Sequence, residues 1–357
     1  MPLFESEKIE AIEWSFDTLF KVKDIPEWFT ALLQTFSDAG RLTGHGVYFS
    51  LFSGKWQKAQ EDWLHQLHLL SSRFRFDHIT EHFGFMTGEN FHTGAPLSIP
   101  FTKETLAIGQ DRLKRIYNAC HCPIGLENLA FAYSLEDVKQ HGNFLSELLQ
   151  PVNGFIILDL HNVYCQAKNF DLNPMDLINL YPLQLVREMH ISGGSWESSQ
   201  SVSGRQIRRD THDETVPDDV FDLLPYAIAR CPKLKYVVLE QLGHALDTDE
   251  ARNIFQSDFM RLANILEEES NCIHHVKTND FLPAAITVST HPLESETLYA
   301  QQSILSKILE NAVSQQHALQ LLQASGFANT AWNIEHWKPY MLETAISIAQ
   351  KWKHGFK

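Results

Sequence analysis

Nine side chains of related chemistry sit at the ends of short apolar runs or in one loop: His45, His82, Glu127, Asp159, Asn162, His190, Asp210, His212 and Glu240. They offer imidazole nitrogen and carboxylate or amide oxygen, without thiolate. That donor set suits iron, manganese or zinc better than copper(I). One six-coordinate ion with an open position takes about five protein ligands at most, so convergence of most of the nine implies two or three ions. Carboxylates such as Glu127 or Glu240 can bridge ions roughly 3.5–4 Å apart. Imidazole and carboxylate with open positions also form the set by which non-heme Fe(II) binds and activates dioxygen. Taken singly, a strand-end His or Asp is more often a hydrogen-bonded structural residue, so convergence is what argues for metal.

Neighbouring residues refine this list. Asp210 and His212 lie two apart in RRDTHDE, and in an extended segment such residues point to one side. The choice between Asp159 and Asn162 stays open, because the strand is expected to end there with His161 between them. Glu81 adjoins His82 and is expected to face away from the site. Glu13 and Asp17, on and just beyond the first strand, are expected to contact ligands or substrate. His161, His92 and Glu214 are the acid–base candidates.

Seven runs must position these groups: AIEWSF (11–16), TGHGVYF (43–49), FDHITEHF (76–83), PIGLEN (123–128), GFIILDLHN (154–162), LVREMHIS (185–192) and YVVLEQ (236–241). Amphipathic segments at helical spacing separate them, among them residues 23–40, 58–74, 103–119, 135–150 and 216–231. Strand–helix alternation with apolar strands covered on both faces predicts a parallel TIM-type (β/α)8 barrel. Ligand residues at strand C-terminal ends are expected at its mouth. The barrel is expected over residues 1–267, and a linker with a helical C-terminal extension over 268–357. AAITVS (284–289) reads as a strand and is the candidate to close the barrel.

At 357 residues, 44% of them hydrophobic, the chain can bury a large core. A net charge of −15 and a pI near 5.6 argue against nucleic acid and anionic membranes as partners. There is no apolar run of transmembrane length and no secretory signal pattern at the N-terminus, so a cytoplasmic protein is expected. Five cysteines fit reduced thiols, and Cys120-His121-Cys122 reads as a structural loop.

The segments GHGVYFSL (44–51), DHITEHFGF (77–85), GLENLAF (125–131), FLSELLQPVNGFIILDLHNVYCQAKNF (144–170), REMHISGG (187–194), RRDTHDETVPDDVFDLL (208–224) and YVVLEQ (236–241) resemble the DUF692 proteins. These are the multinuclear non-heme iron-dependent oxidative enzymes, of which the methanobactin biosynthesis enzyme is the best-known member. The resemblance implies a TIM-type barrel holding two or three irons in mixed Fe(II)/Fe(III) states, with O2 as co-substrate. Carried over, the metal histidines fall on His45, His82, His190 and His212. The acidic ligands fall on Glu127, Asp159, Asp210 and Glu240, with Asn162 as a further candidate. The implied reaction is oxidative modification of a ribosomally synthesised peptide, most often at cysteine, with a partner protein that captures the leader of the precursor peptide. Two other readings compete: a divalent-metal barrel hydrolase or isomerase acting on a phosphodiester or a sugar, and a non-catalytic metal-binding or interaction protein.

Overall fold

The computed structural model describes residues 2–5, 8–22, 24–88, 94–270 and 281–353. Seven strands form one parallel sheet in chain order: β1 (Ile12–Trp14), β2 (Leu42–Gly46), β3 (Ile79–Glu81), β4 (Ile124–Glu127), β5 (Phe155–Asp159), β6 (Val186–Ile191) and β7 (Tyr236–Leu239). The helices between them are α1 (Glu27–Asp38), α2 (Lys58–Arg73), α3 (Lys103–Cys120), α4 (Leu135–Leu149), α5 (Leu160–Phe170) and α6 (Asp218–Ile228). A further helix, α7 (Asp249–Ser270), follows β7, and α8 (Glu296–Asn311), α9 (Gln315–Ala324) and α10 (Pro339–Trp352) make the C-terminal extension. The architecture is a TIM-type barrel with a helical extension. Among the described residues no helix is long and apolar enough to cross a membrane.

Local chemistry starts the helices. Thr102 accepts a hydrogen bond from the Thr105 N–H, and Ser134 does the same for Asp137, so each caps amide groups that the first turn leaves unpaired. Alternation then sorts the strands into two faces. Ile156 and Leu158 of β5 belong to the large core between sheet and helices, whereas Phe155 and Ile157 form a separate cluster inside the barrel. Asp159 continues that inward face, and the register sets it opposite His190, which in turn lies opposite Val238.

Residues 284–289 are not a strand, which corrects the expectation for AAITVS. Its consecutive β-branched residues, Ile286, Thr287 and Val288, carry strand propensity, but its neighbourhood supplies a different partner. The stretch lies against α3, where Arg115 donates to the Ser289 carbonyl (2.9 Å), Arg112 donates to the Leu293 carbonyl (2.7 Å) and Asp111 accepts from the Leu293 N–H (3.3 Å). At its head, the buried ring of Phe281 packs edge-on to Phe155 at 5.5 Å and closes the floor of the barrel.

At the other end the stretch joins the extension. Ser295 N–H donates to the Gly54 carbonyl (2.7 Å), and Gln302 bonds Gly54 N–H (2.9 Å) and the Phe52 carbonyl (2.8 Å). Lys338 N–H donates to the Tyr133 carbonyl (2.9 Å), Trp337 stacks on Tyr133 at 3.8 Å, and Trp332 meets Phe85. Those partners lie in the loops that leave β2, β3 and β4. The extension therefore roofs the face at which the strand C-terminal ends emerge.

One buried histidine predicts the acid response of this core. His141 of α4 stacks against Phe101, and the Tyr181 hydroxyl lies 3.4 Å from its Nδ1; burial pushes its pKa down to about 3. A base with a depressed folded pKa binds its proton more readily when unfolded. Its contribution is complete above the unfolded value near ~6.5 and is lost as pH falls from there toward about 3, by up to about 1.4 kcal/mol per pH unit. Denaturant midpoints measured from pH 7 to pH 4 are expected to fall less steeply in His141→Gln than in the native chain. Parallel slopes would contradict this assignment.

Candidate metal centre

The inward ends of β1 to β7 bring most of the candidate ligands together, with the imidazoles already oriented. His45 Nδ1 lies 2.8 Å from Thr80 Oγ1, whose own hydroxyl donates to the Gly44 carbonyl at 3.2 Å. Thr80 oxygen is thus the acceptor, Nδ1 carries the proton, and the His45 Nε2 lone pair turns inward. His82 Nδ1 donates to the Gly46 carbonyl at 3.0 Å, which leaves its Nε2 turned inward as well. Both Nε2 atoms face Glu127 Oε2, at 3.4 and 3.5 Å.

Glu127 is common to two groups. His45, His82 and Glu127 form one set of mutually close ligand atoms; Glu127, Asp159, His190 and Glu240 form a second, all within 4.8 Å of one another. The first set uses Oε2, while His190 Nδ1 lies 3.6 Å from Glu127 Oε1 and 3.2 Å from Glu240 Oε2. Beyond Glu240 sits the loop pair: His212 Nδ1 is 3.5 Å from Glu240 Oε1, and its Nε2 is 2.8 Å from Asp210 Oδ1. His212 holds a left-handed backbone (φ 51°), a costly conformation for a residue with a side chain.

The electrostatics show a cavity short of positive charge. Burial alone would push the His45 imidazole down, but Glu13 and Glu127 hold it up at about 9. Burial likewise opposes protonation of His190, yet Glu13 and Glu127 raise it well above the usual range. Burial, with Glu127 and Asp210 adding to it, drives the Asp159 carboxyl up. Glu127 is held far down by His190 and His45 against the effect of burial. Several buried atoms on these side chains lack a hydrogen-bond partner: His45 Nε2, His190 Nδ1, Asp159 Oδ2, Asn162 Oδ1 and Glu240 Oε2. Orphaned buried polar atoms are costly, and a cluster of them on metal-binding residue types fits cations, which would displace the protons held here. The arrangement is compatible with a multinuclear metal site.

The remaining sequence candidates fall into different places. Asn162 Nδ2 donates to Glu127 Oε1 (3.3 Å) and the Asn128 carbonyl (2.8 Å), while Asp159 Oδ1 accepts from the Asn162 N–H (2.6 Å), so both adjoin the cluster. Glu13 Oε1 lies 3.4 Å from His190 Nε2 on the side away from Glu127. His161 stands behind Asp210: its Nδ1 donates to Asp210 Oδ1 at 2.9 Å, and its Nε2 accepts from Arg208 Nε at 3.2 Å. Asp17 is set apart. Its Oδ2 accepts from Val47 N–H, Tyr48 N–H and Trp63 Nε1 and so fixes the loop after β2. Glu214 reaches Arg208 at 3.8 Å on a half-exposed side chain. Glu81 points to the Trp63 side of β2, away from the cluster; a Cβ on Gly46 would sit 1.8 Å from its carboxylate, so only glycine fits there. His92 lies outside the described residues.

Sequence reasoning missed Glu188. It sits two residues before His190 on β6 and so shares its face; Oε1 is 3.4 Å from His190 Nε2, and Oε2 meets His78. The i, i+2 spacing in REMH was the available signal. The opening of the site is also plain. His45, His190 and Asp159 are sealed, whereas the side chains of His82, Glu240 and Asp210 are 27%, 24% and 21% exposed.

A family model described as "RiPP precursor modification enzyme MbnB/TglH/ChrH" matches residues 19–252. The UPF0276 protein of Caulobacter vibrioides is 28% identical over 187 residues, covering 52% of this chain and 64% of that protein. The UPF0276 protein AM1_3026 of Acaryochloris marina is 29% identical over 192 residues, 53% of this chain and 66% of its own. The match thus spans less than two thirds of the length of these relatives. Among solved structures, an L-ribulose 3-epimerase superposes with a TM-score of 0.48 at 13% identity, over 76% of this chain and 91% of its own.

Proposed function

Because this chain belongs to the family of RiPP precursor modification enzymes MbnB/TglH/ChrH, we propose that it is an oxidoreductase that modifies a ribosomally made precursor peptide at cysteine, using iron and dioxygen. The observation that carries this reading is the sharing of Glu127 between two ligand sets, one oxygen toward each. A carboxylate bridge is the usual means of holding two ions close together. His45, His82 and Glu127 would hold one ion, and Glu127, Asp159, His190 and Glu240 a second. Asp210 and His212, with Glu240, would hold a third, and Asn162 borders the second. Bound iron would supply the activation of dioxygen and the oxidising equivalents.

The chain's own residues then have defined tasks. Thr80 and the Gly46 carbonyl fix the tautomers of His45 and His82, so no reorientation is needed when ligands engage. Glu13 and Glu188 hold the far nitrogen of His190. The sealed side keeps water from the buried carboxylates. The opening beside His82, Glu240 and Asp210 is where the cysteine of the peptide approaches. The acidic rim suits a neutral or basic peptide core, and a separate partner protein is proposed to capture the leader.

The test is elemental analysis of protein purified without oxygen, followed by incubation of the iron-loaded chain with O2 and cysteine-containing precursor peptide. Two or three irons per chain and a mass change confined to cysteine are expected. Zinc or manganese, with iron absent even after anaerobic loading, would overturn the oxidative reading in favour of a hydrolase or isomerase.

A further inference from the structure

The C-terminal extension lies beyond the residues 19–252 matched by the family model, yet it grips the loop that carries Asp210 and His212. Two side chains of α10 make the contacts. The Glu343 carboxylate accepts from Gln200 N–H (2.6 Å), Ser201 N–H (3.1 Å), Ser199 Oγ (2.8 Å) and Ser201 Oγ (2.7 Å). Those residues form the turn of an antiparallel hairpin, Trp196–Ser198 paired with Gln206–Arg208. Tyr340, one turn away on the same helix, donates its hydroxyl to the Asn169 carbonyl at 2.8 Å. Asn169 in turn holds Arg208 by both backbone groups, accepting from its N–H (2.8 Å) and donating to its carbonyl (2.9 Å).

From Arg208 the chain of contacts continues into the candidate centre. Arg208 Nε donates to His161 Nε2, which fixes the His161 proton on Nδ1, and that proton is given to Asp210. The two backbones are packed too closely to slide. A Cβ on Gly194, just beyond β6, would lie 2.2 Å from the Arg209 carbonyl and 2.9 Å from His161. A carboxylate that accepts four hydrogen bonds, two of them from backbone amides, is a strong and directional anchor.

We propose that Glu343 is a positioning residue for the metal centre: through the hairpin and Arg208 it sets Asp210 and His212, so the extension is a working part of the site. The inference rests on the metal reading above. Removing the anchor frees the hairpin without touching any candidate ligand. Glu343→Gln keeps one acceptor oxygen and loses the charge, so it should fall between the native chain and Glu343→Ala.

The experiment uses the full chain, with Glu335→Ala as a control on the same extension. Glu335 accepts from the Asn329 N–H, a contact made within the extension itself. Amide hydrogen exchange over residues 196–212 is read in metal-free protein, and metal content after anaerobic iron loading is read beside Asp210→Asn. For Glu343→Ala, exchange at least about tenfold faster in this segment is expected. About one ion per chain should be lost, as in Asp210→Asn, with the conservative Glu343→Gln intermediate and Glu335→Ala unchanged. Native exchange rates over 196–212 in Glu343→Ala, or its native metal content in a chain whose Asp210→Asn form has lost an ion, would overturn the proposal. Should the native chain take up no metal, the metal reading fails, and exchange over 208–212 alone decides whether Glu343 holds the loop.

Discussion

Glu127→Ala, purified without oxygen and loaded with iron, is expected to retain at most one ion per chain. It removes a ligand from both sets at once, whereas every other candidate in those two sets belongs to only one of them. Residues that act as a unit show losses far beyond a single contact, so peptide modification should fall on the order of 10³-fold or more. The fold itself should survive. Glu127 is buried among His45, His82 and His190, and its removal leaves those imidazoles free to stay neutral. Circular dichroism and the thermal midpoint of the metal-free variant therefore belong in the same experiment. Native metal stoichiometry in Glu127→Ala would refute the bridging role.

The largest expected effect on stability lies outside the candidate ligand cluster, on α3. Arg112 of α3 is fully buried, and Asp111 is its carboxylate partner at 2.5 Å. Asp111 also binds Arg115 (2.9 Å), Ser289 Oγ (3.2 Å) and the Leu293 N–H (3.3 Å). Burial lowers the Arg112 pKa, but the adjacent Asp111 keeps it charged. Asp111→Ala strands that charge in the core and releases the stretch that runs along α3. A cost of about 3–5 kcal/mol is expected, the range for breaking one side of a buried pair. Asp111→Leu combined with Arg112→Met should recover most of it, because a well-packed apolar pair avoids the desolvation cost. Urea denaturation of the three proteins measures both numbers, and a single-variant loss under about 1 kcal/mol would contradict the argument.

The barrel was legible because its signal is periodic. For β1 to β4 and β6 the apolar run, the residue class that ends it and the helix that follows agree with one another, whereas the helix Leu160–Phe170 starts inside the run read as the end of a strand. The gathering of the candidate ligands followed from the same pattern, since residues at the inward ends of parallel strands must converge. What escaped was of another kind. Glu188 reads as an ordinary charge within a strand, and only its pairing with His190 and His78 shows that it faces inward. Asp17 sits beside the right strand but is taken up by two backbone amides and Trp63, contacts that depend on how the loop after β2 folds back. AAITVS has the composition of a strand but pairs with no strand among the described residues. The contacts of its Ser289 with Arg115 and Asp111 of α3 span more than 170 residues of sequence, a separation that local patterning cannot express.

The way the C-terminal segments close the barrel has a consequence for the birth of the protein. Phe281 seals the floor and Glu343 fastens the hairpin at the opposite face, and both come after every strand of the sheet. A ribosome that has delivered all seven strands has therefore not yet delivered either closure. The cup of imidazoles and carboxylates stands open at both ends until the extension emerges. A product cut short before residue 281 would be left as a barrel without either closure.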